Sequence, residues 1–400
     1  MTRFTLLTIL VLTLLSCTRD QSYPSIPNAA IPTPSISSFI PEAANIGAEV
    51  TINGQNFDRP PGNNLVKIGS IEATVIAGTQ EWLRVKVPVG ATNGRISVTV
   101  KGKTGTSGRD FVLATGTWGQ KQPFPGKATQ YQSGFSIDGL IYIVGGISEF
   151  GFQNELWVYN PSSLAWTQKA SFPGLGRYSG LALTIGNKAY FGLGFRDGPS
   201  PMNDFWEYDP KTDQWTKKAD FPSANVLNVV GFGFNAIGFV GLGSANTQNS
   251  SSNELWMFDP STNTWSRKAD FAGSNGIGVS ACADQNRGYI LFGNSDKFWQ
   301  YDPNIDQWSQ FAQFPGYKRN GGVAFVVNGK IYAGLGWDAY TLADFWEFDL
   351  QNHSWIRKAD FVRTDALGLG FPSGNNGGFI FATYNDWEAL TPGEFWEFAP

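Results

Sequence analysis

The stretch Trp206-Glu-Tyr-Asp209-Pro210-Lys-Thr-Asp-Gln-Trp215 decides the fold, because its two tryptophans, nine residues apart, recur down the chain. One series runs Trp157, Trp206, Trp256, Trp299, Trp346 and Trp396, at intervals of 43 to 50 residues. A second runs Trp118, Trp166, Trp215, Trp265, Trp308 and Trp355. Each member of the first series except Trp396 is followed nine residues later by one of the second. The chain stops at Pro400, before Trp396 has a partner, and Trp118 has none before it. The two loose ends match if the strand around Trp118 completes the unit that contains Trp396. Self-similarity at such a period marks a repeat architecture, and this closure counts six units arranged in a ring.

Within each unit four short strands can be drawn. In the first, Ser133 to Ile137 is followed by Ile141-Tyr-Ile-Val-Gly-Gly146, then Glu155-Leu-Trp-Val-Tyr159, then Trp166-Thr-Gln-Lys-Ala170. The last two strands are joined by turns such as Asp209-Pro210, Asp259-Pro260 and Asp302-Pro303. Asp accepts a local amide and Pro presets φ, the pairing a type I turn wants. The glycine-ended second strand and the period of about 50 residues resemble the kelch repeat. Later units drift to Tyr190-Phe-Gly-Leu-Gly194, Phe239-Val-Gly-Leu-Gly243 and Tyr332-Ala-Gly-Leu-Gly336. The resemblance covers residues 115–400 and implies a six-bladed β-propeller closed by an N-terminal strand.

Ahead of the repeats, Val50-Thr-Ile52, Val66-Lys-Ile68, Leu83-Arg-Val85-Lys-Val87 and Ile96-Ser-Val98-Thr-Val100 alternate apolar with other residues. Asn53-Gly54, Pro60-Pro61, Pro88 and Asn93-Gly94 punctuate them, the pattern of a small antiparallel sandwich. The opening Pro34-Ser-Ile-Ser-Ser-Phe39-Ile-Pro41, the later Gly47-Ala-Glu-Val-Thr-Ile-Asn-Gly54-Gln-Asn56-Phe57 and Phe111 resemble a TIG (IPT) domain over residues 34–114. That resemblance implies an immunoglobulin-like fold acting as a spacer. The fold class is therefore all-β: an immunoglobulin-like sandwich, then a propeller.

The N-terminus carries Arg3 and a 12-residue apolar run from Phe4 to Leu15, the length of a secretory signal core rather than a membrane span. It ends in Leu14-Leu15-Ser16-Cys17, which resembles a bacterial lipobox. Residues 1–16 are then a signal peptide, Cys17 the lipidated first residue, and the Pro-rich segment 17–33 a semi-extended tether. Thr18 follows the cysteine where an Asp would retain the protein at the inner membrane, so an outer-membrane location is expected. Cys282 is the one cysteine left, so the mature chain has no internal disulfide; in Val279-Ser-Ala-Cys-Ala283 it reads as a small buried hydrophobe.

Charge and composition remove several functions. Twenty-nine basic against 33 acidic residues leave no basic field for nucleic acid. His353, in the turn Asp349-Leu-Gln-Asn-His353, is the only histidine, so Ser-His-Asp catalysis and histidine-rich metal sites are unsupported. No cofactor motif is present.

The chemistry that remains is binding. Antiparallel strands place the Asp-Pro turns on one face, and the second-to-third loops and blade-to-blade connections on the other. The latter differ in length and content, and variable loops on a rigid scaffold are where binding concentrates. Candidate residues in the loops are Phe150, Phe152, Arg196, Trp337, Tyr340 and Trp387. In the connections they are Tyr131, Arg177, Tyr178, Lys318, Arg319, Asn320, Arg363 and Asp365. Aromatic rings stack on sugars or clamp peptides, and Arg and Asn direct hydrogen bonds. The expected ligand is a glycan or an envelope protein. As an alternative, the chain is similar to the N-acetylneuraminate epimerases, exported six-bladed propellers; Arg177, Arg319, Arg363, Asp365 and Glu388 would then form an acid–base set at the channel mouth.

Overall fold

A computed structural model describes residues 31–400, apart from 128–129, 197–201, 224–225, 235, 246–251, 275–277, 364–365, 373–376 and 385–392. Every regular element among the described residues is a β-strand, except for one 3-10 turn at Pro61–Asn63.

The period-two stretches of the N-terminal region form its strands. Ser35–Ile40, Glu49–Gln55, Trp82–Lys86 and Ile71–Gly78 pair antiparallel in one layer. Ile71–Gly78 then pairs with Leu65–Ile68, which continues through Gly94–Val100 to Lys103–Leu113 in the second layer. The alternation predicted from sequence becomes the core: Val50, Ile52, Val66, Ile68, Leu83, Val85, Ile96 and Val98 are all fully buried. Phe111 is fully buried beneath Phe39, the ring centroids 6.5 Å apart. This is the immunoglobulin-like domain.

Six four-stranded antiparallel sheets follow. Their innermost strands are Ser133–Ile137, Leu181–Ile185, Val230–Phe234, Val279–Ala283, Val323–Val327 and Ala366–Pro372, in blades 1 to 6. Blade 6 takes its outer strand from before blade 1. Thr117–Gln120 pairs with Glu394–Ala399, placing Trp118 opposite Phe398 and Gln120 opposite Trp396.

The tryptophan ladder has two separate jobs. In the third strand, the indole N–H of Trp157, Trp206, Trp256, Trp346 and Trp396 donates to an acid two residues upstream: Glu155, Asp204, Glu254, Asp344 and Glu394. In the fourth strand, Trp118, Trp166, Trp215, Trp265 and Trp308 donate to the preceding blade, at the carbonyls of Ala359, Gln122, Ala170, Ala219 and Ala269. The second set sews blade to blade. Trp355 is the exception, and its indole N–H is buried without a hydrogen-bond partner. A bulge between Phe298 and Trp299 shifts the outer strand of the preceding blade and offsets the carbonyl that Trp355 needs.

The immunoglobulin-like domain is docked on blade 5. The buried carboxylate of Asp360 accepts the backbone N–H of Glu42 and of Ala43, each at 2.9 Å, and is also bonded by Arg357. The Ala359 N–H donates to the Thr115 carbonyl, and Ala43, Ala114 and Ala359 form a small buried cluster. With two backbone donors fixed on one buried acid, the expected spacer is a rigidly mounted unit. Cys17 and the signal segment lie outside the described residues.

Candidate functional site

Strand polarity sorts the connections as expected. The third-to-fourth turns share one face, and there a residue with positive φ closes each turn: Leu164, Asp213, Asn263, Asp306 and His353. His353 packs its ring against Phe311, 4.8 Å between centroids, on the face away from the loops. Cys282 is buried in blade 4, and burial pushes its thiol pKa well up.

On the opposite face the central channel opens into a cavity of about 490 Å³. Its walls are the first residues of the inner strands, many of them Gly, Ala, Ser or Val. Just before each of five inner strands the chain kinks through the left-handed region, at Tyr131, Ser179, Asn228, Gly278 and Gly321, and all five residues line the cavity. The kinks are linked around the ring: Ser179 N–H donates to Tyr131 O at 3.0 Å, and Gly321 N–H to Gly278 O at 2.8 Å. The mouth is therefore asymmetric. Side chains of Tyr131, Ser179 and Asn228 edge it at blades 1 to 3, and bare glycines edge it at blades 4 and 5.

Backbone bridges tie three of the connections to the following second-to-third loop: Gln130 with Ile147, Tyr178 with Phe195, and Asn320 with Trp337. Tyr178 and Asn320 thus occupy equivalent positions in blades 2 and 5, as do Phe195 and Trp337. Tyr178 lies 5.8 Å from Tyr131, stacks on Phe152 at 5.8 Å and on Phe195 at 5.4 Å, and Arg196 sits 5.9 Å over Phe152. Burial and the neighbouring Tyr178 raise the Tyr131 phenol pKa, keeping it a neutral donor. Phe150 stands at the tip of the adjoining hairpin, 75 % exposed. Three blades round the ring, Trp337 borders the cavity, with Tyr340 exposed three residues on. Two aromatic platforms therefore flank the mouth, and Tyr131, Phe150, Phe152, Tyr178, Arg196, Asn320, Trp337 and Tyr340 all contribute. Asp365, Trp387 and Glu388 lie outside the described residues.

The arginines correct the sequence reading. Arg177 and Arg319 were expected at the binding surface, yet both are fully buried. Arg177 holds both oxygens of Asp204 at 2.6 and 2.8 Å and donates to the Leu175 and Leu193 carbonyls. Arg319 repeats this with Asp344 at 2.7 and 2.8 Å and the carbonyls of Tyr317 and Leu335. Each guanidinium also lies 4.7 Å over a phenylalanine, Phe172 or Phe314. Burial alone would raise the pKa of Asp204 and Asp344, but the hydrogen bonds and charge of their arginines outweigh it and lower both. Arg363 meets Glu394 through one nitrogen at 3.3 Å, and its side chain is 39% exposed. Arg177 and Arg319 each clamp a connection to the acid that orients the next tryptophan. With their guanidinium groups so engaged, the expected acid–base set loses two of its cations.

The sequence reading missed Ser179, Asn228 and Tyr317. All three sit in connections, and aligning the connections on Phe172-Pro-Gly, Phe221-Pro-Ser and Phe314-Pro-Gly would have marked the ring positions.

Residues 34–112 match the IPT/TIG domain, and residues 131–173 and 194–222 match the Kelch motif. The chain thus carries an IPT/TIG domain and Kelch motifs on a six-bladed propeller, an architecture that suggests a binding module. No curated protein matches the chain. Among solved structures it is similar to one titled "Structure of YjhT", with a TM-score of 0.57 and 17% identity, covering 69% of this chain and 95% of that one. At that identity the likeness speaks to the fold alone.

Proposed function

We propose that this protein is a non-enzymatic cell-envelope binding module whose loop face captures a glycan. The observation that carries the reading is where apolar side chains meet solvent. Of ten large hydrophobic side chains exposed on the propeller among the described residues, seven lie on the loop face: Tyr131, Phe150, Leu175, Tyr317, Trp337, Tyr340 and Val362. Leu164, Ile305 and Ile356 are the others. Exposed apolar groups concentrated on one face mark an interaction site. Aromatic rings beside hydroxyl and amide side chains, with no excess of either charge, suit the alternating C–H and hydroxyl surface of a sugar.

The same reading places the protein in the bacterial outer membrane, lipid-anchored through Cys17, with residues 17–33 as tether. Several acyl chains on one residue hold stably where a single chain is reversible.

A glycan array probed with the full mature chain, beside a Trp337→Ala variant of unchanged thermal midpoint, tests the ligand class. Binding lost in the variant supports the reading. A folded wild type that binds no glycan but retains an envelope protein in pull-down would replace the glycan with a protein. Fractionation of cells expressing Cys17→Ala tests the anchor, and continued membrane retention would count against it.

A further inference from the structure

We infer that the immunoglobulin-like domain is part of the binding surface, supplying Arg109 to an extended subsite for a neutral oligosaccharide. The inference rests on the glycan reading above and goes beyond it in assigning a ligand contact to the domain expected to be a spacer.

Arg109 lies near the end of the last strand of that domain, Lys103–Leu113. It reaches across to the propeller, where its guanidinium carbon sits 5.5 Å from the centroid of the Tyr317 ring. Tyr340 is close enough to add to the field that raises the Arg109 pKa, after Glu42 and Tyr317. Tyr317 belongs to the connection entering blade 5 and Tyr340 to the loop that also carries Trp337. The side chains of Trp337, Tyr340 and Tyr317 are 42%, 61% and 49% exposed. Trp337 borders the channel mouth, while Tyr317 and Tyr340 lie near Arg109, so exposed aromatic side chains stand both at the mouth and beside the neighbouring domain.

The placement is fixed. Asp360 binds the Glu42 and Ala43 amides directly beneath, so Arg109 is carried on a clamped domain rather than a swinging one. The charge balance selects the ligand. Glu42 faces Arg109 at 3.0 Å and Arg357 at 3.7 Å, and Arg357 also pairs with Asp360. Glu42 lies directly against Arg109 and compensates its charge, so this end of the surface offers an anion little net attraction. The Arg109 side chain is still 55% exposed, and a guanidinium has five N–H donors, of which Glu42 takes one. Stacking faces plus uncancelled donors fit a chain of uncharged sugars longer than the channel mouth alone holds.

The test titrates the full mature chain with neutral β-linked oligosaccharides, from disaccharide to hexasaccharide. Arg109→Ala and Tyr317→Ala are compared with Trp337→Ala, and hydrogen exchange at Glu42 and Ala43, whose amides bind Asp360, monitors whether the domain stays docked. Arg109→Ala and Tyr317→Ala, still docked, are expected to keep disaccharide affinity and lose about tenfold for the hexasaccharide, while Trp337→Ala loses both. Wild-type affinity at every length in both docked variants, with Trp337→Ala still defective, would overturn the composite subsite and leave the glycan reading standing. If Arg109→Ala undocks the domain, Arg109→Lys keeps the charge and removes the planar fork, and the same length-dependent loss is required of it. A wild type that binds none of these sugars would overturn the neutral-oligosaccharide subsite, and the glycan array then decides the reading on which it rests.

Discussion

Trp118 lies against Phe398 with ring centroids 4.8 Å apart, joining the start of the propeller to its end. Phe345 and Phe361 pack on the same indole, at 5.0 and 4.9 Å, and its N–H is held by the Ala359 carbonyl. One side chain thus bridges blades 5 and 6. A chain beginning at residue 125 lacks it, along with the strand paired to Glu394–Ala399. The bared strand is an open template for another molecule. Such a chain should oligomerise or lose its cooperative thermal transition in light scattering and calorimetry. A monomer as stable as the intact protein would refute closure by this strand.

Leu164 is the weak point among the turn residues. Asp213 and Asp306, at the equivalent positions, accept a tyrosine hydroxyl from Tyr208 and Tyr301, and also the amide of Ala170 and Ala269 in the preceding blade. In blade 1 the tyrosine is present, but Leu164 is not an acceptor, and the Tyr159 hydroxyl is buried without a partner. Leu164 also takes φ of 54° with its side chain 53% exposed. Leu164→Asp should therefore stabilise the propeller by about 1–2 kcal/mol, since it satisfies a buried hydroxyl and suits the left-handed backbone. Calorimetry checks the sign; a lower midpoint would mean that Leu164 has packing worth more than the hydrogen bonds.

These turns show where the sequence was legible and where it was not. The ring order, the blade count and the closure by Trp118 followed from spacing, because inter-blade tryptophans must recur wherever blades recur. The aromatic candidates Tyr131, Phe152 and Tyr178 also came together, since their loops share a face by strand polarity. The arginines were misread because a charge in a variable connection looks solvent-facing. What buries Arg319 is an acid 25 residues on in the next blade, and nothing local to Lys318-Arg319-Asn320 announces it. The role of Arg109 was invisible for a simpler reason: repeats say how blades pack on one another, but not where a separate domain docks.

The Arg319–Asp344 pair fixes an acid response. The Asp344 carboxyl has its pKa lowered in the folded protein, whereas an unfolded Asp titrates near about 3.9. A depressed native value gives stability that is complete above the unfolded pKa and lost as pH falls through the native one. The contribution of this pair should thus hold from neutral pH to about 5 and decline below about 4. Asp344→Asn strands the buried guanidinium and should cost about 3–5 kcal/mol at neutral pH, with a shallower acid decline. Urea unfolding across pH measures both. An unchanged acid slope in the variant would show that other carboxylates set it.

Tyr131 separates stability from function. It is a bulky residue at φ of 54°, in the ring position that blades 4 and 5 fill with Gly278 and Gly321. A left-handed backbone costs a non-glycine residue roughly 1 kcal/mol or more, and such strain persists where a site uses it. Its ring is 37% exposed at the cavity edge and leans on Tyr178. Glycine relieves the strain but removes the ring contact and gains unfolded-state entropy, so Tyr131→Gly should shift the thermal midpoint only slightly, while glycan affinity falls about tenfold. Tyr131→Ala supplies the contrast: it loses the same ring and keeps the strain, so it should match the glycine variant in binding and fall below it in stability. A higher midpoint for the alanine variant would mean the backbone here is unstrained, since glycine then carries only its unfolded-state entropy, and full binding by both would remove Tyr131 from the site.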